Sequence, residues 1–137
     1  MLQQLIEAGF GDEQDYNCAE RILYGANQAY ELGLPKEALK LSAGFGGGMG
    51  IGSVCGALTA GIMVLGSLFV AERAHESERI KDLEGELLQK YREAMGDIEC
   101  KPLKDKYRTE QEKCKRVIMA AAGVLDEIVL RERGEQS

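Results

Sequence analysis

The sequence predicts an all-α protein, a compact bundle of about five to six helices around a buried, apolar, glycine-containing central helix at about residues 54–71. Residues that favour helix dominate outside one glycine-rich stretch, and the chain has only two prolines. Residues 41–71 carry no charged side chain, whereas more than half of residues 72–116 are charged. The length suits one domain, so we expect residues 1–137 to form a single helical unit.

Three helices are predicted before the glycine-rich stretch. Helical spacing of apolar residues, cap-type residues and a proline start place them at about residues 1–10, 16–32 and 35–42. Gly33 follows the second of these helices, as expected of a helix that ends at a glycine.

The glycine-rich stretch, residues 44–53, is too rich in glycine to be a stable helix interior. It predicts a loop with positive-φ residues or a close backbone approach. It lacks the Gly-Lys-Ser/Thr ending of a phosphate-binding loop. Ser53, at its end, is the expected N-cap of the central helix.

The uncharged segment Ile51–Ala71 is also long enough to cross a bilayer. We favour a buried helix without a membrane span, because glycines 44–52 shorten the usable helix and no Lys or Arg flanks its start. A membrane-associated accessory protein that spans at 51–71 is the alternative. Small residues four apart, such as Gly56 and Ala60, allow close helix contact, which would also suit a homodimer.

The charged C-terminal half predicts a bend near residues 74–77 and then a helix with one apolar face that ends near Gly96. A loop or short turn would follow, and a last helix at about 109–131. Residues 132–137 are polar and are expected to form a frayed tail.

The charge and the N-terminus limit the function classes. A formal net charge of −6 disfavours nucleic acid as a partner, because an acidic surface repels phosphates. The first residues lack the basic and apolar regions of a signal peptide. We therefore expect a cytoplasmic protein, in which cysteines serve as redox thiols, metal ligands or core residues rather than structural disulfides.

The four cysteines are the candidate catalytic residues. Cys18 and Cys55 lie at predicted helix starts, where unpaired amides and the helix dipole stabilise a thiolate. Cys100 is expected in a loop or short turn near Lys101 and Lys104, whose charge would favour a thiolate, and Cys114 on the apolar stripe of the last helix. Each cysteine taken alone could equally be a core residue, which leaves a purely structural helical protein as a further alternative.

Three glycines, Gly52, Gly56 and Gly61, are the candidate binding positions. They leave space beside Cys55 for another helix, a ligand or a second cysteine. The cysteine spacing contains no Cys-x-x-Cys pair, so a zinc ribbon, covalent haem or a thioredoxin motif is not indicated.

The pattern as a whole resembles the C-GCAxxG-C-C family, small proteins with four cysteines and a Cys-Gly-Ala-x-x-Gly motif. The resemblance covers roughly residues 15–130. It rests on Asn17-Cys18-Ala19, the Gly44–Gly52 loop, Cys55-Gly56-Ala57-Leu58-Thr59, Met63-Val64-Leu65-Gly66, Cys100 and Cys114. Ala60 stands where the motif has its last glycine, with Gly61 directly after it.

The resemblance implies a redox or metal-linked role, and members are often associated with transporters. Our first hypothesis is a thiol-dependent oxidoreductase in which Cys55 attacks, Cys18 resolves and Cys100 with Cys114 forms a second pair or a relay. Its substrate and redox partner stay open. The alternative makes Cys18, Cys55, Cys100 and Cys114 the ligands of a metal ion or an iron–sulfur cluster.

Overall fold

The computed structural model describes residues 1–134, which form seven α-helices and no β-strand. The helices are α1 (Leu2–Glu7), α2 (Cys18–Ala29), α3 (Lys36–Leu39), α4 (Gly56–Phe69), α5 (Arg79–Met95), α6 (Cys100–Tyr107) and α7 (Lys115–Gly134). The predicted all-α class is confirmed. Six helices correspond to predicted ones, and α6 is additional.

Helix α4 is the central helix, as predicted, and α2, α5 and α7 pack around it. Close approach is possible because Gly61 has no side chain: a Cβ there would lie 2.9 Å from Cδ2 of Leu87 on α5. The fully buried residues of α4 are Leu58, Ala60, Val64 and Leu65.

Helix α4 is shorter than predicted. It begins at Gly56 with Cys55 as its N-cap, so the prediction that Ser53 caps the helix is wrong. The reason is a backbone pairing of Val54 with Glu99, which keeps the residues just before α4 extended. No helix among residues 1–134 has the length and apolar character that a membrane span requires.

The glycine-rich stretch contains the positive-φ run that the sequence predicts. Gly47, Met49 and Gly50 have φ angles of 67°, 61° and 77°. This left-handed backbone turns the chain back from a short 3₁₀ turn, Lys40–Phe45, toward the start of α4. The predicted bend between α4 and α5 is also present, as a 3₁₀ turn at Ala74–Glu76.

The segment after α5 differs from the expectation of a loop. Gly96 ends α5 with φ 89°, as predicted, but Cys100 begins α6 instead of lying in a loop. Pro102 is compatible with this helix because it lies in the first turn, where its missing N–H needs no intrahelical partner.

The last helix is shifted toward the C-terminus. It begins at Lys115 rather than near Thr109, because Thr109 and Lys113 pair their backbones in a turn (N···O 2.7 Å). It continues to Gly134, so residues 132–134 are helical and not frayed. The rest of the predicted tail, residues 135–137, lies outside the described residues.

One buried carboxylate fixes α1 and α2 against α7. Asp126 of α7 accepts the backbone N–H of Leu2 and of Gln3, each at 2.9 Å, and so caps α1. It also accepts the hydroxyl of Tyr30, directly after α2, at 2.6 Å. These bonds satisfy a polar group that burial would otherwise penalise.

Candidate functional site

All four cysteines lie at the N-terminal end of a helix. Cys18 is the first residue of α2, Cys55 is the N-cap of α4 and Cys100 is the first residue of α6. Cys114 directly precedes α7, and its carbonyl accepts the backbone N–H of Ile118 at 3.0 Å. The expectation for Cys18 and Cys55 is confirmed, and the two positions that the sequence assigned to a loop and to a helix interior share the same arrangement.

The start of α2 is fixed by Asn17. Its side-chain oxygen accepts the backbone N–H of Glu20, and its amide donates to the carbonyl of Ala43, both at 2.9 Å. Gly46 leaves the space that this side chain occupies, since a Cβ there would clash with it. The cap therefore ties Cys18 to the segment that precedes the positive-φ run.

The isolated β-bridge between Val54 and Glu99 holds Cys55 beside Cys100. The backbone N–H of Cys55 donates to the carbonyl of Ile98 at 2.8 Å, and that of Cys100 donates to the carbonyl of Ser53 at 2.6 Å. Gly48, with φ 62°, fits against this bridge because a Cβ there would lie 2.8 Å from Cβ of Cys100. Two cysteines 45 residues apart are thus fixed through the backbone.

The thiols of Cys18 and Cys55 are direct neighbours, and each shifts the pKa of the other. Gly56 makes room for this pair: a Cβ at Gly56 would lie 2.6 Å from Sγ of Cys18 and 2.7 Å from the carbonyl oxygen of Phe45. The glycine that follows Cys55 in the motif therefore has a steric explanation. The sulfur of Cys18 rests against the backbone at the start of α4.

This contact divides the two thiols into an acid and a base. The hydrogen bond from Cys55 lowers the pKa of Cys18 to about 6, helped by the backbone N–H groups of Gly47, Ala19 and Gly56 and opposed by burial. The same hydrogen bond, burial and the nearby charge of Cys18 raise the pKa of Cys55. Two backbone N–H groups, of Ala57 and Leu58, oppose this rise without overcoming it, so Cys18 is the more acidic thiol of the pair.

Cys100 and Cys114 behave differently. Burial raises the pKa of both thiols, and the charge of Cys18 adds to this effect. The cations of Lys104 and Arg108 oppose it at each of the two positions without overcoming it. Both thiols are therefore protonated at neutral pH. They are near enough to Cys18 for its charge to raise their pKa values.

One pocket of about 980 Å³ joins the two pairs, because all four cysteines line its wall. Cys55 and Cys100 are almost completely buried, at 3% and 6% exposure, whereas Cys18 and Cys114 are half-buried. A molecule in the pocket can therefore reach the sulfur of Cys18 more easily than the sulfur of Cys55.

The three candidate glycines separate in the structure. Gly56 contacts Cys18, as described above. Gly52 lies against the first turn of α6, where a Cβ would be 3.1 Å from Cβ of Lys101. Gly61 faces Leu87 in the core, and none of the three glycines lines the pocket. The space that Gly61 provides belongs to helix packing.

The four thiols share a pocket but not a metal-binding arrangement. Within residues 1–134, no group of three or more His, Cys, Asp or Glu side chains is placed so that it could hold a metal ion. The cysteines are free, without a disulfide. The geometry thus supports chemistry of individual thiols and of the Cys18–Cys55 contact.

Two contributors to the site were not singled out from the sequence. Gly47 supplies a backbone N–H to Cys18, and Asn17 orients the helix that carries it. Both belonged to recognised patterns, a positive-φ glycine run and a helix cap, but neither pattern indicates that the residue lies beside a sulfur.

Comparison with known proteins agrees with this geometry. The model of a family described as "Putative redox-active protein (C_GCAxxG_C_C)" matches residues 16–128, a range that includes all four cysteines and most of the chain. Neither the curated proteins nor the solved structures gave a match. On the strength of the family match, this chain belongs to the C_GCAxxG_C_C family.

Proposed function

We propose that this protein carries out thiol–disulfide exchange, with Cys18 as the attacking thiolate and Cys55 as the resolving thiol. The observation that carries the proposal is the position of the Cys18 sulfur against the start of α4, directly beside Cys55, where a Cβ at Gly56 would lie only 2.6 Å from it. The interaction with the Cys55 thiol lowers the pKa of Cys18 to about 6. These roles are the reverse of our first hypothesis from the sequence, in which Cys55 attacks and Cys18 resolves. A thiolate that is already present at neutral pH is the reactive form of cysteine.

Accessibility supports the same order of events. Cys18 is half-buried and faces the pocket, so an incoming disulfide can meet it. Cys55 is only 3% exposed and contacts Cys18. Its geometry suits attack on the sulfur of Cys18 better than attack on an external molecule.

The exchange proceeds in two balanced steps. The Cys18 thiolate attacks one sulfur of a disulfide RSSR, the S–S bond of RSSR breaks, and RS⁻ leaves. Cys55 then gives its proton to the released thiolate and attacks Cys18, which expels the second RS⁻. The protein loses two electrons and gains a Cys18–Cys55 disulfide, and RSSR becomes RSH and RS⁻.

Cys100 and Cys114 serve in this proposal as a second dithiol. They line the same pocket and stay protonated at neutral pH, because burial raises the pKa of both. They would reduce the Cys18–Cys55 disulfide by one further exchange and become a disulfide themselves. A dithiol redox partner would then return the protein to its starting state.

The pH dependence of alkylation tests the proposal. The reduced protein is treated with limiting iodoacetamide between pH 4 and 10, and the modified cysteine is identified by peptide mass spectrometry. We expect modification at Cys18 with a midpoint near pH 6, because the thiolate is the reactive form. Preferential modification of Cys55, or a midpoint near that of an ordinary thiol, about 8.5, would contradict it.

Anaerobic purification with metal analysis and thiol counting separates exchange from the metal alternative. We expect four titratable thiols in reduced protein, since the chain has four free cysteines. After oxidation by excess disulfide, two thiols should be lost first, as Cys18–Cys55. Stoichiometric metal that a chelator removes, with loss of stability, would favour four thiolate ligands instead.

A further inference from the structure

The pocket wall formed by residues 104–116 is strongly basic. Five of its side chains line the pocket as cations: Lys104, Arg108, Lys113, Lys115 and Arg116. Within residues 1–134, none of these five has a carboxylate oxygen within 4.0 Å. This is unusual in a chain whose formal net charge is −6.

The acidic residues that line the pocket do not neutralise this wall. Asp12 forms an ion pair with Arg21, and its interaction with the charges of Lys113 and Lys115 is only at longer range. The other carboxylates at the pocket, Glu7, Asp15 and Glu112, make no ion pair with any of the five cations. The basic wall therefore remains available to an anion.

Two of these cations act through their charge on two of the thiols that line the pocket. Lys104 and Arg108 both act on the thiols of Cys100 and Cys114. Lys104 is half-buried, so it has lost part of its hydration without gaining a carboxylate in exchange. An anion beside it would form the charge-assisted hydrogen bonds that Lys and Arg favour with carboxylates.

The size of the pocket points to a small molecule. Its volume, about 980 Å³, lies within the range typical of small-molecule sites. Both the Cys18 thiolate and the basic wall face this one space. A ligand could therefore place an anionic group at the wall and a reactive bond at the sulfur simultaneously.

We propose that the pocket binds low-molecular-weight disulfides that carry carboxylates, held by Lys104 and Arg108 while Cys18 attacks the S–S bond. The inference rests on the exchange function proposed above and names the substrate class of the same site. The bond that breaks is the S–S bond of the bound disulfide, which takes up the two electrons that the Cys18–Cys55 dithiol gives up.

A series of three disulfides that differ in charge tests this proposal. Reduced protein is mixed with glutathione disulfide (anionic), hydroxyethyl disulfide (neutral) or cystamine (cationic), quenched with acid and analysed by mass. We expect glutathione disulfide to react at least fivefold faster than the neutral compound, and added salt to narrow this difference. Equal rates, or a preference for cystamine, would overturn the assignment.

Matched variants locate the effect. In Lys104→Met and in Arg108→Met, the ratio of the anionic to the neutral rate should fall about fivefold, the factor for one unit charge near 4 Å in a water-like medium. Lys101→Met is the control, because Lys101 belongs to the same helix but does not line the pocket. A ratio that falls equally in the control would contradict a role for these two cations.

A non-reactive probe separates this proposal from the exchange function. S-methylglutathione carries the same carboxylates but cannot be attacked at sulfur. Its binding, followed by amide NMR shifts at residues 104–116, should weaken in Lys104→Met and not in Lys101→Met. Binding without any disulfide reactivity would reject the exchange function alone, whereas exchange without this binding would reject the anion site alone.

Discussion

The two cysteine pairs share one pocket and one local arrangement, yet they differ in acidity. Each of the four residues lies at a helix N-terminus, where the dipole favours a thiolate. The pKa of Cys18 falls to about 6, whereas burial raises the pKa of Cys100 and of Cys114. A helix start is therefore not sufficient to produce a thiolate.

The difference lies in direct hydrogen bonds. Cys18 accepts one from the thiol of Cys55 and others from three backbone N–H groups, whereas Cys100 and Cys114 have only the longer-range charges of Lys104 and Arg108. Donors in contact with sulfur replace the water that burial removes, which distant cations do not. The Cys18–Cys55 pair is thus suited to nucleophilic attack, whereas Cys100 and Cys114 stay protonated.

Removing the Cys55 thiol should have the largest effect on the difference in acidity between Cys18 and the Cys100–Cys114 pair. In Cys55→Ala, the alkylation midpoint of Cys18 should rise by two pH units or more, toward that of an ordinary thiol, because the largest cause of its lowered pKa is gone. Mixed disulfide should also accumulate, since the thiol that contacts Cys18 is gone and only the protonated thiols of Cys100 and Cys114 remain in the pocket. Iodoacetamide pH profiles and intact mass measure both effects.

Two further variants make the test specific. Cys55→Ser keeps an O–H donor, so the midpoint of Cys18 should stay below that in Cys55→Ala. Cys114→Ala should leave the midpoint near pH 6, because Cys114 makes no hydrogen bond to Cys18. A large shift in Cys114→Ala would mean that the pairs are not distinct.

Adding one methyl group at Gly56 should have the next largest effect. Gly56→Ala places a Cβ 2.6 Å from Sγ of Cys18 and 2.7 Å from the carbonyl of Phe45, so the sulfur or the backbone must move. We expect a loss of about 1–3 kcal/mol in the free energy of unfolding, as in overpacked cores, together with a raised Cys18 midpoint. Urea unfolding under reductant and the alkylation profile measure the two.

Gly61→Ala is the matched control for this variant. A Cβ there meets Cδ2 of Leu87 at 2.9 Å in the core, away from the pocket. It should cost comparable stability and leave the Cys18 midpoint unchanged. If both variants shifted the midpoint equally, the steric explanation of the Cys-Gly motif would be lost.

Local patterns predicted most of the fold. The apolar spacing before Gly96 predicted a helix with one apolar face, and α5 buries Ile80, Leu83, Leu87 and Tyr91. The absence of charge in residues 41–71 identified α4, and the glycine content identified the positive-φ run. These features depend on neighbours within a few turns, which is the information that a sequence pattern contains.

What the sequence missed depends on contacts between distant residues. The pairing of Val54 with Glu99 moves the start of α4 from Ser53 to Gly56 and holds Cys100 at the head of α6. No periodicity in the chain records a pairing across 45 residues. The predicted helix starts therefore gave only approximate positions for Cys55 and Cys100.

The assignment of the thiolate shows the same limit. Cys18 and Cys55 look alike in sequence, since both open helices. In the structure, Cys18 receives the backbone N–H of Gly47 besides those of Ala19 and Gly56, and Gly47 comes from a loop whose course the sequence left open. The candidate pair was thus predictable from local pattern, whereas the roles within it required the three-dimensional arrangement.

The pH dependence of stability should show a smaller but opposite behaviour of the two pairs. The pKa of folded Cys18, about 6, lies below that of an unfolded thiol, so the unfolded state binds more protons between about pH 6 and 8.5. The contribution of Cys18 to the free energy of unfolding must therefore rise with pH in this window and be lost as pH falls through 6. The contribution of Cys114, whose pKa is raised, should instead be present below about 8.5 and decline above it.

Urea unfolding of reduced protein at several pH values measures these slopes. The difference between wild type and Cys18→Ala should grow by about 1–3 kcal/mol from pH 6 to 8.5, since one pKa unit corresponds to about 1.4 kcal/mol. The difference between wild type and Cys114→Ala should stay nearly flat from pH 6 to about 7.5 and then begin to fall, because the unfolded thiol ionises first. Parallel slopes for the two variants would show that Cys18 has no special acidity, and the division into an attacking pair and a protonated pair would fail.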